Sequence, residues 1–328
     1  MIVFTEAAGA AVRSGEIHLG GRRAAARAIP YAGDAAPPLF RFDPIERRFV
    51  ALREEAAVAA GPADAEAWRE ALSDAPGGPV AVGPCSPSEP VYGAYRAAAE
   101  GALSAGRGVY LIDPDAGALP EGADGAAVAV VSWRPGPMPP SLAAAAATGM
   151  AAGLALPAIP GWTSEEAVLE PLLSEAVRAG ARFVCVLSPA WDGPARRAAV
   201  DARACVDPGS AESFFERIHH TGSDAVIASA VASVRAACAS RGLPALAPRA
   251  RGRGEPPANA RAAALLEERA LAAEADEHRA AMLHAAVRWI DESGRDLAPL
   301  HLEGNLRKVF PFGAALAAEV EAAISGVR

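Results

Sequence analysis

The stretch Gly153-Leu154-Ala155-Leu156-Pro157-Ala158-Ile159-Pro160-Gly161-Trp162-Thr163-Ser164-Glu165-Glu166 sets the reading of this chain. Gly153–Ile159 is apolar without alternation, as a strand covered on both faces must be. Pro160-Gly161 ends it. Thr163-Ser164-Glu165-Glu166 then has the form of a capping box ahead of a helix over Glu165–Ala179, which Gly180 closes in a left-handed cap. Arg182–Leu187 follows, continuously apolar from Phe183 on. Strand, capped helix and strand in close succession form a parallel βαβ unit, whose crossover is right-handed.

The same rhythm extends upstream. Ala26–Tyr31, Val80–Val82, Gly108–Ile112 and Ala127–Ser132 read as further strands, with a helix over Val91–Gly106. Six strands with right-handed crossovers predict an α/β chain built as a partial (β/α)6 barrel, with a doubly wound open sheet as the competing arrangement. The barrel domain is expected over residues 26–247, behind an N-terminal segment, 1–25. Residues 248–257 read as an exposed linker, in which Arg249, Arg251 and Arg253 alternate with small residues and Gly. Residues 258–328 read as an all-α extension. Its first part, Ala258–Glu292, carries Leu265, Leu266, Leu271, Met282, Leu283, Val287 and Ile290 as a stripe ending at Ser293-Gly294, and a last helix spans 313–324. These helices are expected to pack on the barrel and cover part of its opening, because an incomplete barrel leaves unpaired strand edges.

Composition narrows the function classes. Of 328 residues, 52% are hydrophobic but only 5% aromatic, so the core rests on Ala, Val and Leu. A net charge of −8 argues against a general nucleic-acid binder, which shows a basic face. The Ala-rich run from Leu142 to Leu156 is too short to span a bilayer, and no secretory leader is visible, so the sequence reads as cytoplasmic with no membrane partner. Cys85, Cys185, Cys205 and Cys238 lie too far apart for a zinc or disulfide pattern and read mainly as buried apolar residues. His219-His220 cannot share a helix face. Glu274 and His278, at i and i+4, read as a solvated pair.

Around the first expected strand the chain runs Ile29-Pro30-Tyr31-Ala32-Gly33-Asp34-Ala35-Ala36-Pro37-Pro38-Leu39-Phe40-Arg41. This resembles the Asn-Pro-Tyr-x-Gly-Cys lead-in of radical SAM enzymes of the spore photoproduct lyase-like group, where Cys-x3-Cys-x2-Cys holds a four-iron, four-sulfur cluster. Pro79–Pro90 is similar to that family's strand and turn that meet the S-adenosylmethionine amino group, with the polar positions reduced to Cys85, Ser86 and Glu89. Ser141–Thr163 resembles its fifth strand with the Pro-x-Ile-Pro-Gly turn. The likeness covers about residues 26–240. The family's three cysteine positions fall here on Asp34, Pro38 and Arg41, which cannot hold such a cluster. The resemblance therefore implies a degenerate member: no cofactor is expected, and S-adenosylmethionine has no support from the cluster motif.

In a parallel barrel the strand carboxyl ends hold the ligand, because loops and helix N-termini converge there. Tyr31, Asp34, Arg41, Cys85, Ser86, Glu89, Asp113, Trp133, Trp162 and Ser188 are the pocket candidates, with no metal site and no identifiable catalytic group. Asp34 and Arg41 are expected to face each other across the former cluster loop. The resulting expectation is a non-catalytic protein that binds a small molecule or assists a partner protein. The alternative is an enzyme doing non-radical chemistry in the same strand-end pocket.

Overall fold

The computed structural model describes residues 2–3, 14–19, 22–27, 40–43, 48–51, 65–73, 78–82, 92–114, 119–120, 125–133, 136–187, 209, 213–214, 216, 224–273 and 276–326. The strands are β1 (Ile2–Val3), β2 (Ser14–Leu19), β3 (Arg22–Arg27), β4 (Phe40–Asp43), β5 (Arg48–Ala51), β6 (Val80–Val82), β7 (Val109–Ile112), β8 (Ala127–Ser132), β9 (Ala151–Pro157) and β10 (Phe183–Leu187). The main helices are α1 (Ala65–Ser73), α2 (Tyr92–Ser104), α3 (Pro140–Ala147), α4 (Glu166–Arg178) and α5 (Asp224–Ser240). Beyond them come α6 (Pro257–Ala272), α7 (Glu277–Ser293), α8 (Leu297–Leu302), α9 (Leu306–Val309) and α10 (Ala314–Ser325).

β1, β6, β7, β8, β9 and β10 make one parallel sheet in that order, each new strand joining the same edge. Strand order never reverses within it, so the sheet lacks the switch point of a doubly wound fold. Same-handed crossovers on a sheet that grows in one direction put the helices on one face. Alternation along the strands agrees. Val82, Leu111, Val131, Leu154 and Val184 pack with Trp68 and Leu72 of α1, Leu142 of α3, Leu173 of α4 and Val234 of α5. Tyr110, Ile112, Val130, Ala155, Phe183 and Cys185 form a second apolar layer with Ala247 and Ala250. Both faces are covered, which is why these strands read as unbroken apolar runs.

Three expectations need correction here. The first strand of the sheet is β1, not Ala26–Tyr31; residues 22–27 form β3, paired antiparallel with β2 in a separate hairpin. Leu19 stands opposite Arg22 at the end of this pairing. Arg41 lies within β4, opposite Val50 of β5, and not in a loop after a sheet strand. Asp34 lies outside the described residues, as do His219, His220 and Glu274. The third correction concerns α7, which begins only after Asp276, whose carboxylate caps it by accepting from the Arg279 amide at 3.0 Å. The helical stretch 258–292 is thus two helices, and His278 sits in the first turn of the second.

The segment read as an exposed linker is a strap laid on the sheet: Arg251 and Arg253 are exposed as expected, but Arg249 and Ala250 are buried. Val184 N–H donates to Pro244 O at 2.9 Å, Arg251 N–H to Gly125 O at 3.2 Å and Gly254 N–H to Gly106 O at 3.4 Å. The Tyr110 hydroxyl donates to Pro248 O and accepts from the Ala250 amide, both at 3.2 Å. Those partners sit at or just before the starts of β7, β8 and β10, so the strap crosses the amino ends of the strands on the face away from α1–α5. Glycine permits the approach: a Cβ on Gly108 would stand 2.1 Å from Ala250 O, and one on Gly252 2.1 Å from Gly106 O.

α6–α10 enclose a core of their own, with Leu266, Leu283, Val287, Ile290, Leu306, Phe310, Leu316 and Val320 buried together. Trp289, Phe310 and Phe312 meet edge to face at 5.2 and 5.3 Å. Asn259 ties α6 to α8, donating to Arg295 O at 2.7 Å and accepting from the Leu297 amide at 3.0 Å. The apolar stripe is therefore spent inside the helical unit, and it does not roof the strand carboxyl ends. The unit meets the sheet at the opposite, amino end, through charged groups borne by the strap.

Candidate functional site

At the carboxyl end of the sheet, the chain leaving β7 turns at Asp113, the one described non-glycine residue with positive φ, +45°. Aspartate tolerates this left-handed conformation better than most residues. Its amide donates to Val130 O at 2.9 Å, and its Oδ1 accepts from the Ser132 amide at 2.5 Å. Asp113 thereby extends the β7–β8 ladder and fixes the point where β8 gives way to Trp133. The Trp133 amide in turn donates to Ala155 O of β9 at 2.8 Å.

Trp162 arrives from the turn after β9. Thr163, fully buried, anchors that turn: its hydroxyl donates to Pro157 O and accepts from the Ile159 amide at 2.7 Å. The expected capping box is thus not formed, because the Thr163 oxygen is engaged by the turn. Glu165 is the N-cap residue of α4 with no side-chain cap, while Gly180 does follow the helix with φ +95°. Trp133 and Trp162 meet edge to face, centroids 5.4 Å apart at 75°, and Trp162 meets Phe214 at 5.9 Å and 79°. Trp162 is 3% exposed and Phe214 1%, whereas Trp133 is half-buried. The two inner rings form a rigid wall, and Trp133 carries it to the surface beside Asp113 and Ser132.

Of the sequence candidates, the structure brings Asp113, Trp133 and Trp162 to one end of the sheet and puts Arg41 in a hairpin. Tyr31, Asp34, Cys85, Ser86, Glu89 and Ser188 lie outside the described residues. Cys185 and Cys238 are buried, and burial pushes the Cys238 thiol up to about 11, which makes it unreactive near neutrality. Among the described residues, no three His, Cys, Asp or Glu side chains gather where a metal could sit. No described helix is long and apolar enough to cross a membrane.

A second polar cluster, at the amino end, was not legible beforehand. Arg249 of the strap, its side chain 2% exposed, donates Nε to Glu255 and Nη1 to Glu267 of α6, both at 2.9 Å, and Nη2 to Asp291 of α7. Burial alone would drive the guanidinium to lose its proton, but Glu267, Asp291 and Glu255 together outweigh that and keep it firmly charged. For Asp291 the balance is reversed. Burial pushes it up to about 6 despite Arg249, whose charge is divided among three carboxylates, and Glu255 adds repulsion. Arg107 stands nearby, donating to Gly78 O at 2.7 Å and Leu72 O at 3.1 Å; burial lowers its pKa while Asp291 and Glu255 support its charge. This arrangement holds two parts of the molecule together and contains no reacting group. No protein-family model matches the chain, and neither a curated protein nor a solved structure matches it.

Proposed function

We propose that this chain is a small-molecule-binding protein, acting as an accessory factor, with its ligand at the carboxyl end of a partial (β/α)6 barrel. The observation that carries the reading is the Trp133–Trp162–Phe214 wall beside Asp113, where a half-buried indole and fixed polar groups converge at the strand ends. Sequential strand order and helices confined to one face support the barrel. The strap fills the amino half of the other face, which favours ligand entry from the carboxyl side. Asp113 stands beside the wall with its Oδ1 already accepting from Ser132, a fixed arrangement that favours binding over acid–base catalysis.

Kinship with radical SAM enzymes is a separate proposal, supported by the barrel-like order and by the Pro157-Ala158-Ile159-Pro160-Gly161 turn after β9. The hairpin position of β3 weighs against an equivalent of the cluster loop. Two measurements test the paired readings. A panel of small organic metabolites should include members that raise Tm in the wild type and not in Trp133→Ala; shifts that persist in the variant would move the site elsewhere. Anaerobic reconstitution with iron and sulfide should leave the protein without stoichiometric iron, because Asp34, Pro38 and Arg41 stand where thiolates are needed.

A further inference from the structure

The ionic cluster at the amino end of the sheet holds more negative charge than its cations neutralise. The geometry points to a proton-operated latch: a proton held among the carboxylates around Arg249 keeps α6–α10 docked on the strap, and its loss loosens them.

The count rests on groups facing one another from every element at the junction. The strap supplies Arg249 and Glu255, α6 supplies Glu267, α7 supplies Asp291, and the lead into β7 supplies Arg107, with the Tyr110 hydroxyl alongside. With every group ionised, two cations face three carboxylates. Water reaches the surplus only at its edge, since the Glu267 side chain is 0% exposed, that of Asp291 7% and that of Glu255 15%. Buried net charge is costly, and a site relieves it by taking up a proton or by opening to solvent. Asp291 is where the proton sits. Its carboxylate packs closely on Gly78, where a Cβ would lie 2.8 Å from Asp291 Oδ2, so only a residue without a side chain leaves room for it at the junction. Its raised pKa, about 6, agrees with that assignment. The sign follows: docking is strongest below the ordinary aspartate pKa of about 3.9 and weakens as pH rises through the folded value.

The cluster bridges two separate apolar cores, so the response should be local. Hydrogen exchange on the full-length protein, corrected for intrinsic rates, tests it. Protection over residues 244–256 and in α6 and α7 should fall about tenfold or more between about pH 5 and pH 8, while β7–β9 change little. Asp291→Asn, which keeps the shape and removes the titration, should abolish the difference. Equal protection at both pH values in the wild type, or the same fall in the variant, would overturn the latch. Should Asp291→Asn fail to fold, the carboxyl carbon shift of Asp291 in the wild type decides. A midpoint above about 3.9 upholds the proposal and one at or below it ends it.

Discussion

Arg249 is the residue on which most depends. Replacing it with Met leaves three carboxylates facing a buried hydrocarbon, and breaking a buried pair from one side costs about 3–5 kcal/mol. Urea unfolding of Arg249→Met should show a loss in that range, where an exposed arginine such as Arg251 should show almost none. Gly108 is constrained differently. Its Cβ would press on the Ala250 carbonyl, so Gly108→Ala must displace the strap, at about 1–3 kcal/mol, the usual cost of overpacking. Thr163→Val should cost about 0.5–1.5 kcal/mol, because it removes both bonds of the hydroxyl but leaves the Ile159 amide donating to the Pro157 carbonyl at 3.1 Å, while Thr163→Ser keeps the hydroxyl and should lose less.

At the scale of elements, α6–α10 form a unit with a continuous buried core and an internal tie through Asn259. Separate expression of residues 257–328 should therefore give a helical, cooperatively melting fragment. A core this small leaves only a thin margin, on the order of 3–5 kcal/mol. Far-UV circular dichroism with a thermal scan checks this; a broad, non-cooperative melt would mean that the strap is needed to complete the unit. The sheet gives up more when the unit leaves, because the strap carrying Ala247 and Ala250 loses Glu267 and Asp291, two of the three carboxylates that hold its arginine.

For the whole molecule, the junction predicts an uncommon pH response. Ionising a buried carboxylate whose folded pKa is raised to about 6 costs stability, and the shift is worth roughly 3 kcal/mol. The contribution of Asp291 is fully present below about pH 4 and is lost as pH climbs past 6. Denaturant midpoints measured across that window, wild type against Asp291→Asn, should converge below about pH 4, draw apart as pH rises to about 6 and stay apart above it, with the variant the more stable.

Much of the architecture was legible in order along the chain. Val80–Val82, the β7 and β8 runs, β9 with its Pro157–Gly161 turn, and β10 each announce a buried parallel strand, because a strand covered on both faces has no polar alternation. Gly180 and the Ser293-Gly294 stop are local chemistry, and Asp113, Trp133 and Trp162 follow from the rule that loops after strands converge. What the chain alone could not give are pairings over long separations. Arg249 in a run of Pro, Gly and Arg looks solvated until Glu267 and Asp291 arrive from two helices further along. Phe214 joins Trp162 only in space, Thr163 spends its hydroxyl on a turn instead of a helix cap, and Ile2–Val3 is too short to read as a strand without β6 beside it. Local sequence determined which segments became strands and helices, because propensity and burial pattern are properties of a few consecutive residues. Tertiary structure decided which charges are buried, which strand comes first and where the helical unit docks, because those depend on what each segment finds opposite it.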